Sequence, residues 1–364
     1  RARVSGLLVP PNDDDAPLPG LEVIAAGHPL PTAGSFRAAR RALDLAATAG
    51  PDDVVLFLVS GGGSALLELP LAADVSVAEW RRFQQALVGS GASIERVNAV
   101  RMRLSAVKGG RLGAAAARAR AVVTLCVSDV PGRPETIASG PTAPCGWLGE
   151  TLLRDLDELR LWDALPPALR DRARRGALAP VPAADDVPGD VAVVADESCS
   201  RDLAAAALDR AGVHVDASLD LDDRPYEQAG ATALARLDAL AVARPDRPVA
   251  LVTTGELSVP LPEHVGVGGR NLHFALHCAT ELRGAPVTVL SCGTDGVDGN
   301  SPAAGAVVDG ETAARARAAG VDLVDHLRRF DAYPALGPLG CAVEPGPTGV
   351  NVRDLRVLLR RPRG

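Results

Sequence analysis

The sequence is poor in aromatic residues and has no excess of basic charge. It contains five Phe, three Trp and two Tyr in 364 residues, and its formal net charge at pH 7 is -7. A nucleic-acid-binding surface requires basic side chains, and a base-stacking platform requires aromatic rings. Because the sequence offers neither, we expect no nucleic-acid partner.

Long hydrophobic segments are missing too. The longest apolar runs, Val54–Val59 and Ala121–Val127, are much shorter than the roughly 20 residues that cross a bilayer as a helix. A secretion signal has a basic segment followed by an apolar one. The first residues of this sequence, which begins at Arg1, do not show that pattern. The six cysteines form no CxxC pair, which is typical of reduced thiols in a cytosol. We expect a cytoplasmic protein with no membrane partner.

Several catalytic motifs are absent as well. The sequence has neither the GxGxxG pattern of dinucleotide-binding folds nor the GxxxxGK[ST] pattern of P-loops. It has no GxSxG elbow, and its six histidines are dispersed. Acyl transfer and zinc chemistry therefore have no support in the sequence.

Lysine is almost missing. Of 38 lysine and arginine residues, Lys108 is the one lysine. Lysine is a compact charge with a tunable pKa, whereas arginine is a planar fork, so the two are not interchangeable. This composition favours a specific role for Lys108 over a chance position on the surface.

Apolar runs alternate with segments of helical periodicity along the whole chain. Val54–Val59 and Ala121–Val127 predict strands, the first buried on both faces of a parallel sheet. Ser76 and Glu79 form a capping box before a helix with Trp80 on its apolar face. Strands are also predicted at 191–195, 213–219, 249–253, 286–291 and 355–359, and helices at 35–49, 203–211, 227–243 and 271–282.

This alternation predicts an α/β fold. Residues 177–189 contain three prolines without periodicity, which indicates a linker. We expect two α/β/α sandwich domains, residues 1–187 and 188–364, with a ligand cleft between them.

Two glycine-rich loops follow predicted strands. Three glycines in Ser60–Ser64 allow close approach of an anion to free backbone N–H groups. In Gly266–Asn271, Arg270 stands at a predicted helix N-terminus, where its charge opposes the helix dipole. An anion bound by both Arg270 and the backbone N–H groups would explain why an arginine stands at this helix N-terminus. Tight turns without a ligand are the alternative for both loops.

Carboxylates follow other strands. Asp295 and Asp298 lie among glycines after one strand, and Asp129 and Glu256 follow two others. Such groups suit a hard cation such as Mg²⁺ or a catalytic base, although Asp and Gly also form ordinary turns. His28 is expected to be a packed or surface histidine. Glycine loops, fixed cations and carboxylates together suit phosphoryl transfer.

At this point the sequence resembles the glycerate 2-kinases that have a MOFRL module at the carboxyl terminus, a family often named hydroxypyruvate reductases. The resemblance covers nearly the whole chain, and its motifs occur in family order. They are GHPLP (27–31), SGGGSALL (60–67), NAVRMRLSAVKGGRL (98–112), SDVPG (128–132), TIASGPT (136–142), GVGGRN (266–271), GTDGVDG (293–299) and GPTGVNV (346–352).

The resemblance implies ATP- and Mg²⁺-dependent phosphorylation of D-glycerate to 2-phosphoglycerate, with a Rossmann-like first domain and a MOFRL module at about 247–357. Lys108, Arg270 and Asp295 are then the candidate catalytic residues, and Asp129, Glu256 and Asp298 the candidate metal ligands. The candidate substrate- or phosphate-binding residues are Ser60, Gly61, Gly62, Gly63, Ser64, Asn98, Arg101, Gly268, Gly269 and Asn271.

Two other functions remain open. A hydroxypyruvate reductase would oxidise NADH, which the missing dinucleotide motif disfavours. Family members usually have a further N-terminal segment with a Gly-Lys-Ala motif, and this sequence starts after that point. The second alternative is therefore a family member that binds a small organic acid or a nucleotide without turnover. A homodimer is a further expectation.

Overall fold

The computed structural model describes residues 4–11, 18–130, 134–145, 151–221, 224–260 and 264–362. The chain divides into two compact units, residues 1–194 and residues 195–364. Pro131 and Gly132 of the SDVPG segment lie outside the described residues.

The first unit combines short parallel sheets with helices. Its elements are β1 (Gly6–Leu8), β2 (Leu21–Val23), α1 (Ala33–Thr48), β3 (Val54–Val59), α2 (Gly63–Leu66), α3 (Val77–Val88), α4 (Ile94–Leu104), α5 (Arg111–Ala115), β4 (Ala121–Val127), a 3₁₀ turn (Pro134–Ser139), α6 (Leu152–Glu158), α7 (Pro167–Arg174), a second 3₁₀ turn (Ala184–Asp186) and β5 (Asp190–Ala195).

A three-stranded sheet in the order β3-β4-β5 organises this unit. Strands β3 and β4 are parallel, as predicted, with Val54 opposite Ala121. The prediction that β3 is buried on both faces is wrong, since Leu56 is 54% and Leu58 is 73% exposed. Val55 and Phe57 pack on a cluster with residues from α1 and α5, so these helices cover one face of the strand.

The helices of the first unit form a separate core. The predicted capping box at the start of α3 is confirmed: the Glu79 backbone N–H donates to Ser76 Oγ, and the Ser76 backbone N–H donates to Glu79 Oε2. Trp80 and Phe83 on the apolar face of α3 are completely buried in a cluster with α4, α6 and α7. Burial of this face, together with the cap, explains why the segment is helical.

The second unit is built on a larger sheet. Its elements are α8 (Glu197–Arg210), β6 (His214–Asp216), α9 (Tyr226–Ala243), β7 (Val249–Thr254), α10 (Arg270–Leu282), β8 (Val287–Gly293), β9 (Gly305–Asp309), α11 (Thr312–Ala318), α12 (Leu323–Arg328), α13 (Ala332–Leu336), β10 (Ala342–Val343) and β11 (Asp354–Arg360).

The six strands of this sheet run in the order β10-β9-β8-β11-β7-β6. Strands β6 and β7 are parallel, whereas β11 lies antiparallel between β7 and β8. Strands β7 and β8 are connected through α10 but are not neighbours in the sheet. The later strand β11 lies between them. The fold is α/β as predicted, but most neighbouring strands in this sheet are antiparallel.

Most predicted elements are present within a few residues, including β3, β4, β7, β8, β11, α9 and α10. The strand predicted at 191–195 to open the second half instead joins the three-stranded sheet of the first unit. None of the six cysteines, all of which lie within the described ranges, forms a disulfide. Among the described residues, no helix is both long enough and apolar enough to cross a membrane.

The core of the first unit contains an ion pair that is completely buried. Lys108 lies in the turn between α4 and α5, and its Nζ is 2.9 Å from Glu68 Oε2, with both side chains 0% exposed. Lys108 Nζ also donates to the Leu67 carbonyl, and Glu68 Oε1 accepts from Ser105 Oγ at 2.6 Å. The pair thus joins the turn after α4 to the segment that follows α2.

We expect Lys108→Met to lower the free energy of unfolding of the first unit by about 3–5 kcal/mol, because it leaves the Glu68 carboxylate buried without its cation. The double variant Lys108→Met/Glu68→Gln should recover most of this loss, since it removes both charges. Urea unfolding measures both effects.

The matched control is Arg41→Met, which breaks an exposed pair with Glu22. It should cost less than about 1 kcal/mol. A Lys108→Met protein no less stable than Arg41→Met would show that the buried pair contributes nothing to folding.

Candidate functional site

The predicted site residues form two clusters, one in each unit. The glycine-loop cluster of the first unit contains Ser60–Ser64, Asn98 and Asp129. The α10 cluster of the second unit contains Glu256, Gly268–Asn271, Asp295 and Asp298. Each cluster lies where a strand ends, because the loops after β3, β4, β7 and β8 supply most of these residues.

Each glycine of the first loop is approached by a different segment. A Cβ on Gly61 would lie 2.1 Å from Asp129 Oδ2, and one on Gly63 would lie 2.6 Å from the Ala138 Cβ. Gly62 has φ +80°, and a Cβ there would lie 3.2 Å from the His28 ring. A side chain at Gly63 would therefore clash with Ala138, one at Gly62 would be strained by the positive φ, and one at Gly61 would displace the Asp129 carboxylate. The loop brings Asp129 and His28, which is exposed, to one place.

A chain of hydroxyl and amide groups extends from this loop. Ser64 Oγ lies 2.7 Å from Ser139 Oγ, which donates to Asn98 Oδ1 at 3.0 Å. Ser139 and its neighbour Ala138 both have positive φ, +60° and +52°. A non-glycine residue with a positive φ carries about 1–3 kcal/mol of backbone strain, and here two such residues are adjacent. Backbone strain of this kind concentrates at functional sites. Ser60 at the end of β3 is exposed.

The two predicted cationic residues of this unit are engaged elsewhere. Arg101 Nε donates to Gln84 Oε1 at 3.0 Å, and burial lowers its pKa while Glu68 opposes the shift. Burial likewise lowers the pKa of Lys108, again opposed by Glu68. Lys108 binds the carbonyl of Leu67, the residue that directly follows α2. It therefore supports the carboxyl end of α2, and Ser64 lies in the first turn of the same helix.

In the second unit, Asp298 caps helix α10. Asp298 Oδ1 accepts from the Asn271 backbone N–H at 3.1 Å, and Oδ2 accepts from the Leu272 N–H at 2.7 Å. A Cβ on Gly269 would lie 2.3 Å from the Asp298 carboxyl carbon, so the cap requires glycine there. Burial raises the pKa of Asp298 to about 6, and the backbone N–H groups of α10 oppose the shift.

Other polar groups of the second glycine loop also have partners within the unit. Asn271 is buried, and its Oδ1 accepts from Ser291 Oγ at 2.7 Å. The Gly268 N–H donates to Asn300 Oδ1 at 2.8 Å. These contacts fix the loop and the start of α10 against the ends of the neighbouring strands.

Arg270 is held by two carboxylates. Its Nε donates to Asp354 Oδ2 at 2.7 Å, and its NH1 and NH2 lie 3.0 and 2.8 Å from the two Glu256 oxygens. Burial alone would lower the pKa of Arg270, but Asp354 and Glu256 outweigh it and the net shift is upward. The anions that the sequence analysis expected beside Arg270 and the α10 N–H groups are here carboxylates of the chain itself.

These groups border a cavity of about 580 Å³ in the second unit. Its polar lining comes from the glycine loop, Arg270 and the residues Asp295, Asp298, Asn300, Asn351 and Asp354. Its apolar lining is Leu257, Val259, Val265, Val297, Phe330 and Ala332, and His273 completes the wall. The volume is in the range of small-molecule pockets.

His273 lies one turn into α10 and is 2% exposed. Its ring stacks on Phe330, with centroids 4.2 Å apart and an interplanar angle of 2°, and meets Tyr226 edge-on at 4.5 Å. Neither ring nitrogen has a hydrogen-bond partner among the described residues. Burial lowers the pKa of His273 from 6.5 to about 4; His277 acts in the same direction and Glu227 opposes it.

The three predicted metal ligands lie in different surroundings. Asp129 belongs to the first unit, and within the second unit Glu256 pairs with Arg270 and Asp298 caps α10. Within the described ranges, no group of three or more His, Cys, Asp or Glu side chains could hold a metal ion. Asp295 also lines the cavity, and its Oδ1 accepts from the Val297 N–H at 3.2 Å.

Sequence reasoning missed four residues that contact the predicted site residues or line the cavity: Glu68, Ser139, His273 and Asp354. Asp354 directly precedes the strand predicted at 355–359, and Glu68 directly follows the SGGGSALL motif, which are weak signals. Ser139 lies in a quoted motif, but its strained backbone could not be read from the sequence. His273 occupies an interior position of a predicted helix, where a histidine is ordinarily a core residue.

The lowered pKa of His273 predicts a pH-dependent stability. The folded protein keeps His273 neutral, so this contribution is present above pH 6.5 and is lost as the pH falls toward 4. Between about pH 7 and pH 5 the loss from this group should be about 2 kcal/mol. His273→Phe should abolish that part of the acid sensitivity, as measured by urea unfolding at both pH values.

Above about pH 7 the two proteins should show the same pH dependence, which serves as the control. Equal losses of stability on acidification in wild type and His273→Phe would contradict the assignment.

Two domain families match the sequence. DUF4147, described as a domain of unknown function, matches residues 1–174, and the MOFRL family matches residues 249–354. D-glycerate 2-kinase of Thermotoga maritima is 38% identical over 349 residues, covering 94% of this chain and 80% of that protein. A protein of Agrobacterium vitis with the provisional name hydroxypyruvate reductase is 39% identical, covering 98% and 92% of the two chains.

A solved structure agrees with these matches. The crystal structure of a glycerate kinase from Thermotoga maritima superposes with a TM-score of 0.87 at 35% identity, covering 98% of this chain and 85% of that one. The likeness thus extends over nearly the whole chain. The chain belongs to the glycerate 2-kinase family, in which a DUF4147 domain is joined to a MOFRL module.

Proposed function

We propose that this protein is a glycerate 2-kinase, which transfers a phosphoryl group from ATP to the 2-hydroxyl of D-glycerate. One observation carries the proposal in the structure: Arg270 is fixed by Glu256 and Asp354 beside a glycine loop, at the wall of a cavity of ligand size. Phosphoryl transfer depends on positioning and on neutralising charge, and a pre-oriented guanidinium supplies both.

We assign binding roles to residues of both clusters and positioning roles to two further residues of the first unit. In the first unit, the backbone of Ser60–Ser64 and the Ser64 hydroxyl are proposed to bind substrate or phosphate, with Asn98 and Asp129 beside them. Lys108 and Arg101 are proposed as positioning residues, because Lys108 binds the carbonyl that follows α2 and Arg101 joins α4 to Gln84 of α3. In the second unit, Arg270 is proposed to bind a phosphate oxygen or the glycerate carboxylate.

A divalent cation fits one carboxylate of the cavity better than the others. Mg²⁺ in kinases is held by one or two carboxylates together with the nucleotide phosphates. Both oxygens of Asp298 accept from α10 N–H groups and both oxygens of Glu256 contact Arg270, whereas Asp295 lines the cavity and uses Oδ1 for one backbone N–H. Asp295 would hold the ion, which supplies charge neutralisation on the phosphates.

A cytoplasmic location and a homodimer stay predictions.

A coupled assay for ADP release tests the proposed function. With Mg-ATP and D-glycerate present, we expect ADP formation that requires both substrates and yields 2-phosphoglycerate. A hydroxypyruvate reductase would instead oxidise NADH in the presence of hydroxypyruvate. Ligand-induced melting shifts without ADP formation or NADH oxidation would favour a member that binds without turnover.

The role of Arg270 predicts a specific loss. Arg270→Lys keeps the charge but cannot contact Glu256 and Asp354 together through one planar fork. We expect kcat/KM to fall by roughly tenfold to a hundredfold, which corresponds to about 1.4–3 kcal/mol of transition-state stabilisation. Steady-state kinetics in both substrates measure it.

Arg315→Lys is the matched control, because Arg315 on α11 also pairs with a carboxylate, Asp309, away from the cavity. Its kinetics should equal those of the wild type. An Arg270→Lys protein with wild-type kcat/KM would remove Arg270 from the proposed site.

A further inference from the structure

Arg356 is an arginine buried completely in the sheet of the second unit. It lies on β11, opposite Thr253 of β7 and Ser291 of β8, and it is 0% exposed. A guanidinium is costly to bury, because it loses its hydration and its N–H donors need acceptors within the protein. Apolar side chains ordinarily occupy such a position, so the presence of Arg356 there requires an explanation.

The backbone acceptors of Arg356 lie where β7 ends. Its NH1 donates to the Thr254 carbonyl at 3.2 Å, and its NH2 donates to the Gly255 carbonyl at 2.7 Å. Gly255 has φ +100°, a conformation that glycine adopts readily, and it directly follows β7. The next residue is Glu256, whose carboxylate binds Arg270. Arg356 therefore holds the turn from which the Glu256 side chain extends.

Arg356 also contacts the other carboxylate that binds Arg270. Its NH2 lies 3.4 Å from Asp354 Oδ2, the same oxygen that accepts from Arg270 Nε at 2.7 Å. Both carboxylates that hold Arg270 are thus tied to Arg356, one through its own oxygen and the other through the backbone before it. The contacts close a ring in which two cations alternate with two anions, so the four charges balance.

Arg356 supports the cavity wall from behind. Arg270 and Asp354 line the cavity, whereas Arg356 does not. The guanidinium carbon of Arg356 lies 5.7 Å from the centre of the Phe274 ring, which is buried on α10 one turn after Arg270. Because it is completely buried, Arg356 can influence a bound ligand only through the groups that it holds.

We infer that Arg356 is a positioning residue for Arg270: by holding Asp354 and the turn before Glu256, it sets the plane of the Arg270 guanidinium at the cavity wall. The inference rests on the proposed function, in which Arg270 binds an anionic group of a substrate. A guanidinium is a planar fork, whereas an ammonium is a point charge. Arg356→Lys therefore keeps the charge but cannot hold two carbonyls and a carboxylate together.

Steady-state kinetics of Arg356→Lys, Arg270→Lys and the double variant test the inference. We expect Arg356→Lys to lower kcat/KM by about tenfold, through the same parameter, kcat or KM, that Arg270→Lys changes. The double variant should lose no more than about twofold beyond Arg270→Lys alone, because effects that pass through one group are not additive. Two independent roles would instead multiply the losses.

An NMR measurement follows Arg270 without catalysis. The Arg270 Nε–H donates to the Asp354 carboxylate, so it should exchange slowly with water and give a proton–nitrogen signal that Arg270→Lys identifies by its loss. In Arg356→Lys this signal should shift, and its exchange should be about tenfold faster, because the carboxylate is held less firmly. A loss of global stability alone leaves the position of the signal unchanged.

Arg360→Lys is the matched control. Arg360 lies four residues further along β11 on the same face, is also buried, and also pairs with a carboxylate, that of Asp238. It should leave both the kinetics and the Arg270 signal unchanged. Arg356→Gln, which removes the charge and keeps a donor, is a second variant at the tested position, and melting temperatures establish which variants are folded.

The outcomes separate this inference from the proposed function. Additive losses in the double variant, or an unchanged Arg270 signal in Arg356→Lys, would overturn the inference. Failure of both Arg356 variants to fold would overturn it as well, since Arg356 would then serve the core alone. If the wild type forms no ADP but the Arg270 signal responds to Arg356→Lys, the positioning of Arg270 stands and the kinase proposal fails. If the wild type forms ADP and Arg356→Lys has wild-type kinetics, the kinase stands and the positioning role fails.

Discussion

The polar site of the second unit depends on the position of β11 between β7 and β8. Hydrogen bonding on both sides buries alternate residues of β11, among them Asp354 and Arg356. Asp354 pairs with Gly293 at the end of β8, and its carboxylate holds Arg270. Arg356 donates to the Thr254 and Gly255 carbonyls just where β7 ends. One inserted strand thus fixes the charges around the start of α10.

The same principle applies in both units: charged groups within the fold are matched by opposite charge or by backbone groups of the chain. Lys108 pairs with Glu68, Arg270 with Glu256 and Asp354, and Asp298 with the first N–H groups of α10. Paired groups cannot rearrange cheaply, because leaving one of them buried and unpaired is costly. The result is a preorganised set of charges, which is the condition for electrostatic stabilisation of a transition state.

Sequence reasoning located most elements because apolar runs and helical periodicity are local properties. Strands β3 and β4 have the predicted bounds, and α9 and α10 each differ at one end by a single residue. The insertion of β11 could not be predicted in this way, since periodicity says nothing about which strands become neighbours. Burial of both faces of β3 was predicted wrongly for the same reason, because it depends on which helices cover a sheet.

The candidate site shows the same division. The glycine loops and the prediction of specific roles for Lys108 and Arg270 came from residue types and order, as did the family. Their partners did not, because Glu68 and Asp354 are ordinary acidic residues until the fold brings them to a cation. Asp298 illustrates the limit: a carboxylate among glycines suggests a metal ligand, yet its position under α10 makes it a helix cap.

The place of β11 in the chain also bears on how the protein is made. A ribosome releases β6 to β10 before β11, so β7 and β8 emerge with facing edges that no neighbour yet occupies. Until residues 354–360 arrive, those edges resemble the open strand edges on which chains aggregate. The second unit therefore completes its core late in synthesis, and nascent chains need protection during that interval more than finished ones do.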